Sequence, residues 1–184
     1  YTPTHTLSLH DALPICRQAK DVALSGGKLT IQGTTVGAPD EFGSAVTCGA
    51  ADRPLVGAQR YYRVQLEKSR GYRVTLTPLF YLVRLAIFRD RCEPAAINAD
   101  CSGKAHRGLV TRTIYRGQTY HGAFTPAESG AYVLAVDSTS PVARGAFVLE
   151  LEQMERPTNV RCSEATTLDL SPGRASASGS TVGV

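Results

Sequence analysis

From Gln59 onward, polar and apolar positions alternate with a period of two. Tyr62, Val64 and Leu66 fall in one phase, with Arg63, Gln65 and Glu67 in the other. Past Ser69-Arg70-Gly71 the pattern resumes, with Tyr72, Val74 and Leu76 set against Arg73, Thr75 and Thr77. Alternation of this kind marks half-buried strands, and two in succession predict antiparallel neighbours joined by a tight turn. Pro78 closes the second strand, because proline cannot donate to a ladder. Residues 83–89 (VRLAIFR) are apolar in both phases and predict a more buried strand, while residues 130–137 (GAYVLAVD) suit a central one. Residues 145–151 present Phe147, Leu149 and Leu151 inward, and residues 28–34 supply an opening strand. Residues 111–116 and 119–124 flank Gly117-Gln118 as a hairpin. No stretch of ten residues keeps a helical period. Seven to eight short strands separated by Gly, Pro and Ser predict an all-β, antiparallel, jelly-roll-like β-sandwich. Its expected core is Tyr62, Val64, Leu66, Tyr72, Val74, Leu76, Leu134, Val136, Phe147 and Leu149. Segments 38–58 and 93–109 have no readable period.

Two other patterns divide the chain. Residues 6–15 read TLSLHDALPI, which resembles the in-frame translation of a widely used sequencing adapter. Residues 1–15 are therefore expected to be an artefactual leader, and His5, His10 and Asp11 carry no functional weight. Residues 16–38 and 162–184 align without a gap at an offset of 146, with nine of 23 positions identical, among them Cys16/Cys162, Gly27/Gly173 and Gly33/Gly179. Self-similarity at a fixed period marks a tandem array, and a period of this length suits globular beads. The expected layout is a sandwich domain at 16–152, a linker at 153–161 and the truncated start of a next repeat at 162–184.

The repeat changes how the five cysteines read. One unit holds Cys16, Cys48, Cys92 and Cys101, while Cys162 opens the next and is expected to be unpaired in this fragment. None forms a C-x-x-C pair, so disulfides in an oxidising compartment fit better than a metal knuckle. Cys92 and Cys101 would close a short loop, EPAAINAD, rich in turn formers. That leaves Cys16 to pair with Cys48. The net charge of +4 is mild and contains no like-charge run, which argues against a nucleic-acid arm. No apolar run reaches membrane-spanning length.

The blocks QRYYRVQLEKSRGYRVTLTP, VRLAIFRDRC and FTPAESGAYVLAVDSTSPVARGAFVLELE resemble the bacterial pre-peptidase C-terminal domain. There a "yY-v-l" strand, a "g-v-l" strand, a "d-lyl" strand, "p-pG-Yyv-v" and a closing "g-y-l-v" follow in order. The version with CG before the first strand and two cysteines after the third is similar to repeats in large secreted proteins of myxobacteria-like organisms. The resemblance covers roughly residues 57–151 and implies a non-catalytic accessory jelly-roll module. One departure bears on metal binding. Leu79-Phe80-Tyr81-Leu82 stands where the family carries an acidic residue, so no calcium site is carried over.

Few residues suggest chemistry. His121, Asp137 and Ser138 are the residue types of a catalytic triad, but no G-x-S-x-G elbow accompanies them. His106 sits in a Gly/Lys/Arg loop and reads as solvated. Asp40, Glu41, Asp90, Glu93 and Asp100 could ligate calcium, yet their spacing is not that of a D-x-[DN]-x-[DN]-G loop. Ser25-Gly26-Gly27-Lys28 lacks the spacing of a phosphate-binding loop and reads as a turn. Arg63, Arg73 and Arg84 share the polar phase of their strands and, with Tyr61 or Tyr115, could line one polyanion-binding face. The expectation is a secreted or surface-attached, non-enzymatic spacing or adhesive module with no cofactor. Its partners would be neighbouring repeats, and the alternative is a carbohydrate- or polyanion-binding accessory domain of a secreted hydrolase. An enzyme in its own right is the weakest reading.

Overall fold

The computed structural model describes residues 16, 18–48, 55–68, 70–101, 109–154, 165–171 and 173–177. The adapter-like residues 1–15, His106, Cys162 and linker residues 155–161 lie outside them. The described residues form nine strands, a 3₁₀ turn at Gly43–Ala45 and one helix. In chain order the strands are β1 (Lys20–Asp21), β2 (Lys28–Thr34), β3 (Arg60–Leu66), β4 (Gly71–Pro78), β5 (Val83–Arg89), β6 (Leu109–Val110), β7 (Tyr120–Phe124), β8 (Gly130–Ser138) and β9 (Ala146–Met154). Helix α1 spans Pro94–Cys101. One sheet runs β1-β3-β8-β5-β6 and the other β2-β9-β4-β7. All ladders are antiparallel except the short β1–β3 pair. The chain is a β-sandwich.

The period-two phases point where the alternation predicts. Tyr62, Val64 and Leu66 from one sheet and Tyr72, Val74, Leu76, Phe147, Leu149 and Leu151 from the other meet in a single core with Leu134 and Val136. The pairing differs from the expectation. β3 and β4 do not form a hairpin, because β3 pairs with β8 and β4 with β9 and β7. The turn between them crosses from sheet to sheet, where Tyr72 Oη accepts the Glu67 N–H at 2.9 Å. Residues 111–116 and 119–124 likewise separate. Ile114 bridges Val83 in the first sheet, while β7 pairs with β4 in the second. Alternation reports which face is buried, not which strand lies alongside. β9 also extends two residues past the expected domain end at 152.

The doubly apolar β5 and β8 have a second reason. The outer face of their sheet is covered as well, by a cap built from segments 38–48, 55–59 and α1. Phe42, Val46, Leu55 and Ile97 pack there on Tyr61, Ala86, Phe88, Val133 and Ala135. Phe42 meets Tyr61 edge-on at 5.5 Å between ring centroids. Residues 94–101 form a helix where a turn-rich loop was expected. Pro94 occupies its first position, where a missing N–H costs nothing, and Ile97 is its buried anchor.

That helix overturns the expected cysteine pairing. Eight helical residues rise about 12 Å, which sets Cys92 and Cys101 at opposite ends and beyond the roughly 7 Å reach of a bridge. The bonds are instead Cys16–Cys92 and Cys48–Cys101, with Cα separations of 6.0 and 4.9 Å. Cys48–Cys101 ties two parts of the cap together, and Cys16–Cys92 ties the segment before β1 to the end of β5.

Candidate functional site

Where the cap meets the edge of the first sheet, Gln59 joins them. It precedes β3 and is buried, and both ends of its amide are used. Oε1 accepts from Glu41 N (2.6 Å), Phe42 N (3.4 Å) and Tyr61 Oη (3.3 Å). Nε2 donates to Asp40 Oδ1 (3.0 Å), Asp137 Oδ2 (3.1 Å) and the Gly57 carbonyl. Asp137, at the end of β8, is fully buried; its Oδ1 accepts from Gly57 N at 3.0 Å and from Ser138 N. Gly57 makes that approach possible. A Cβ there would collide with Ser138 Oγ and lie 2.8 Å from Asp137 Oδ1.

The electrostatics follow from this burial. Loss of water pushes the Asp137 carboxyl up to about 7, with Asp40 adding to the rise while the donors from Gln59, Ser138 and Gly57 oppose it. The Tyr61 phenol is also raised, first by burial and then by Glu41, Asp137 and Asp40. A raised carboxyl in a polar cluster invites an acid–base reading. Its oxygens, however, are turned inward and bonded to the protein's own donors, so no substrate proton is within reach.

Beside this cluster an open cleft of about 230 Å³ is lined by Gln18, Lys20, Pro39, Glu41, Gln59, Arg60, Tyr61 and Tyr62. Arg60 closes one wall by donating to the carbonyls of Thr34 (2.9 Å) and Val36 (3.4 Å). Glu41 is held by the Cys16 N–H at 3.1 Å. Among the described residues the Lys20 side chain has no ion-pair partner. Two cations, a carboxylate, an amide and two ring edges can bind a small polar ligand; nothing in the cleft pairs a nucleophile with a base.

No family model matches the chain, and no curated protein does. Among solved structures it is similar to the pre-peptidase C-terminal domain of a collagenase from Bacillus anthracis, at 13% identity and a TM-score of 0.44, covering 73% of this chain and 94% of that one. It is also similar to PliG of Aeromonas hydrophila, a periplasmic inhibitor of g-type lysozyme, at 12% identity and a TM-score of 0.41, covering 74% and 97%. A third is CorA of Methylomicrobium album BG8, a surface-associated copper-binding protein, at 10% identity and a TM-score of 0.39, covering 73% and 98%.

The candidate residues named from the sequence scatter over this framework. Ser138 Oγ donates toward the carbonyls of Ser140 and Ala143, whereas His121 lies on β7 in the other sheet, 3.4 Å from Thr75 Oγ1. They form no triad. Asp90 accepts from Arg63 Nε at 2.7 Å, and Asp100 accepts from Arg91 and from the Arg89 N–H. Among the described residues no group of three His, Cys, Asp or Glu side chains is placed to hold a metal. The three arginines do not line one face, which corrects the polyanion-face expectation. Arg63 projects from the first sheet onto Asp90 and Asp21, and Arg73 projects from the second onto Glu152. Arg84 is buried, its Nε donating to the Thr111 carbonyl at 3.0 Å. Arg63 and Arg84 share the outer face of the first sheet, where Arg84 is buried, and Arg73 lies on the other sheet. Sequence reasoning missed Gln59 and the cleft. The only signal was the second apolar phase of β5 and β8, which required a cover without naming it.

Proposed function

We propose that this chain is a non-catalytic module of an extracellular or periplasmic protein, acting as a spacer or attachment unit. The observation that carries it is the use of its buried polar groups. The buried Gln59, Asp137 and Tyr61 are all engaged, with the exposed Asp40, in fixing the cap to the sandwich. Two disulfides between cysteines distant in sequence favour an oxidising compartment. The strand blocks that resemble the pre-peptidase C-terminal domain agree with this reading. Repetition supports it too. The aligned glycines Gly27 and Gly173 both hold left-handed backbones, with φ of 79° and 82°. In this layout residues 162–184 begin a second unit, and reach or avidity grows with copy number. The test is a screen of the chain against esterase, glycosidase and peptidase substrates. No turnover is expected; turnover abolished by Ser138→Ala or His121→Ala would overturn the reading.

The cleft favours a second reading, a module that binds an acidic saccharide. Lys20 and Arg60 would supply charge and Tyr61 and Tyr62 ring edges. A glycan array decides it. Specific binding lost in Lys20→Glu would support this role, and a blank array would remove it.

A further inference from the structure

Of the seven large apolar side chains exposed among the described residues, all but Leu168 and Leu170, which follow β9, are gathered at one end of the sandwich. Val36, Leu79, Tyr81, Tyr115 and Val142 are between 48% and 85% exposed. They sit on four loops, following β2, β4, β6 and β8. Backbone bonds stitch these loops together: Thr35 N to the Gly145 carbonyl (3.0 Å), Leu79 N to Ala146 (2.9 Å), Thr139 N to Leu82 (2.9 Å) and Ile114 N to Val83 (2.8 Å). The turns around Gly26, Lys68 and Ser129 at the opposite end of the sandwich carry no such side chain. Isolated surface apolar groups need no explanation, but a cluster of five at one end does.

Cations outnumber anions at this end, where Asp40 and Glu41 lie beside Arg60 past the first of these loops. Segments 35–38, 79–82, 111–118 and 139–145 contain Arg112, Arg116 and Arg144 and no aspartate or glutamate. Among the described residues none of these three arginines forms an ion pair. Leu82 adds an independent observation. Its φ is 62°, a conformation that residues with a Cβ rarely adopt. The loop holds that backbone while Leu79 and Tyr81 stay in water and Phe80 is buried.

We propose that this end docks on a lipid bilayer bearing anionic headgroups. Tyr81 and Tyr115 would sit at the headgroup level, Leu79 and Val142 would enter the acyl boundary, and the arginines would meet the lipid charges. Exposed side chains on separate loop tips suit a fluid surface that closes around them. A soluble polyanion would use the arginines and leave the apolar tips in water. This goes beyond the proposed function and rests on different residues from the cleft.

The experiment uses the whole chain and sedimentation with vesicles of pure phosphatidylcholine or with about one-third phosphatidylglycerol. Binding is expected only to the anionic vesicles. Arg116→Glu with Arg144→Glu should weaken it at least about tenfold, while Lys68→Glu with Arg70→Glu, an equal charge change at the opposite end, should not. Because the chain contains no tryptophan, Val142→Trp reports insertion directly. Its emission should shift to the blue on anionic vesicles, and that of Lys68→Trp should not. Failure to bind anionic vesicles, equal loss in both charge variants, or an unshifted Val142→Trp signal would each overturn the proposal. The last outcome, with polyphosphate displacing the chain, would assign the arginines to soluble polyanions.

Discussion

Gly57 and Asp137 meet in a close buried polar contact, and each predicts a measurable effect. An alanine at 57 must push aside Ser138 Oγ and a carboxylate oxygen, so Gly57→Ala is expected to cost about 1–3 kcal/mol in a denaturant titration. Asp137 predicts a pH dependence. Its carboxyl is pushed up from 3.8 to about 7 in the folded state, so between those values the native chain holds a proton that the unfolded chain releases. Its contribution to stability is therefore fully present below about pH 4 and is lost as pH rises toward 7. Asp137→Asn should flatten that slope. The amide also turns a donor toward Gly57 N or Gln59 Nε2, so the variant should be less stable at pH 4 by about 1–3 kcal/mol. Melts across this range check both points. In the sequence, Asp137 closed an apolar strand and suggested a triad with His121 and Ser138, not a buried anchor. Nothing local marks a carboxylate whose partners lie about eighty residues earlier.

Helix α1 decides more about this protein than its length suggests. Its buried Ile97 should make Ile97→Ala cost about 2–5 kcal/mol. Its rise separates Cys92 from Cys101, which gives the observed pairing a sharp test. In Cys16→Ser with Cys48→Ser, labelling should find three free thiols, counting Cys162; an intact Cys92–Cys101 bond would leave one. On a chain-entropy account each native bridge is worth about 4 kcal/mol. The strands themselves were legible, because a period of two is a direct imprint of one buried face. Tyr62, Val64 and Leu66 are where the alternation puts them. Strand partners were not legible, since a short turn serves a hairpin and a crossing between sheets equally well. Pro94 and Ile97 hid the helix for a different reason: eight residues give a 3.6 period too few repeats to show.

At the scale of the whole molecule, the first sheet is enclosed on both sides and the second on one. The outer face of the second sheet is polar, with Lys28, Glu152 and Arg73 abreast on three strands and Lys28 Nζ 2.8 Å from Glu152. The double apolar phase of β5 and β8 foretold the enclosure. The cover could not be read, because segments 38–58 and 93–109 have no repeating pattern, and its described residues are held by the Cys48–Cys101 bridge and the Gln59 amide. Residues 1–15 belong to the adapter reading, and a chain starting at Cys16 is expected to melt at the same temperature as the full one; a loss of several degrees would contradict it. The bridge at Cys16 also determines how the module would respond to tension. A pull applied between Cys16 and Met154 passes directly across sulfur to Cys92, bypassing a separation of 76 residues. At about 3.5 Å per residue this withholds about 270 Å of contour. An oxidised unit is thus a short tether when it ruptures, and reductant turns the same unit into a long one.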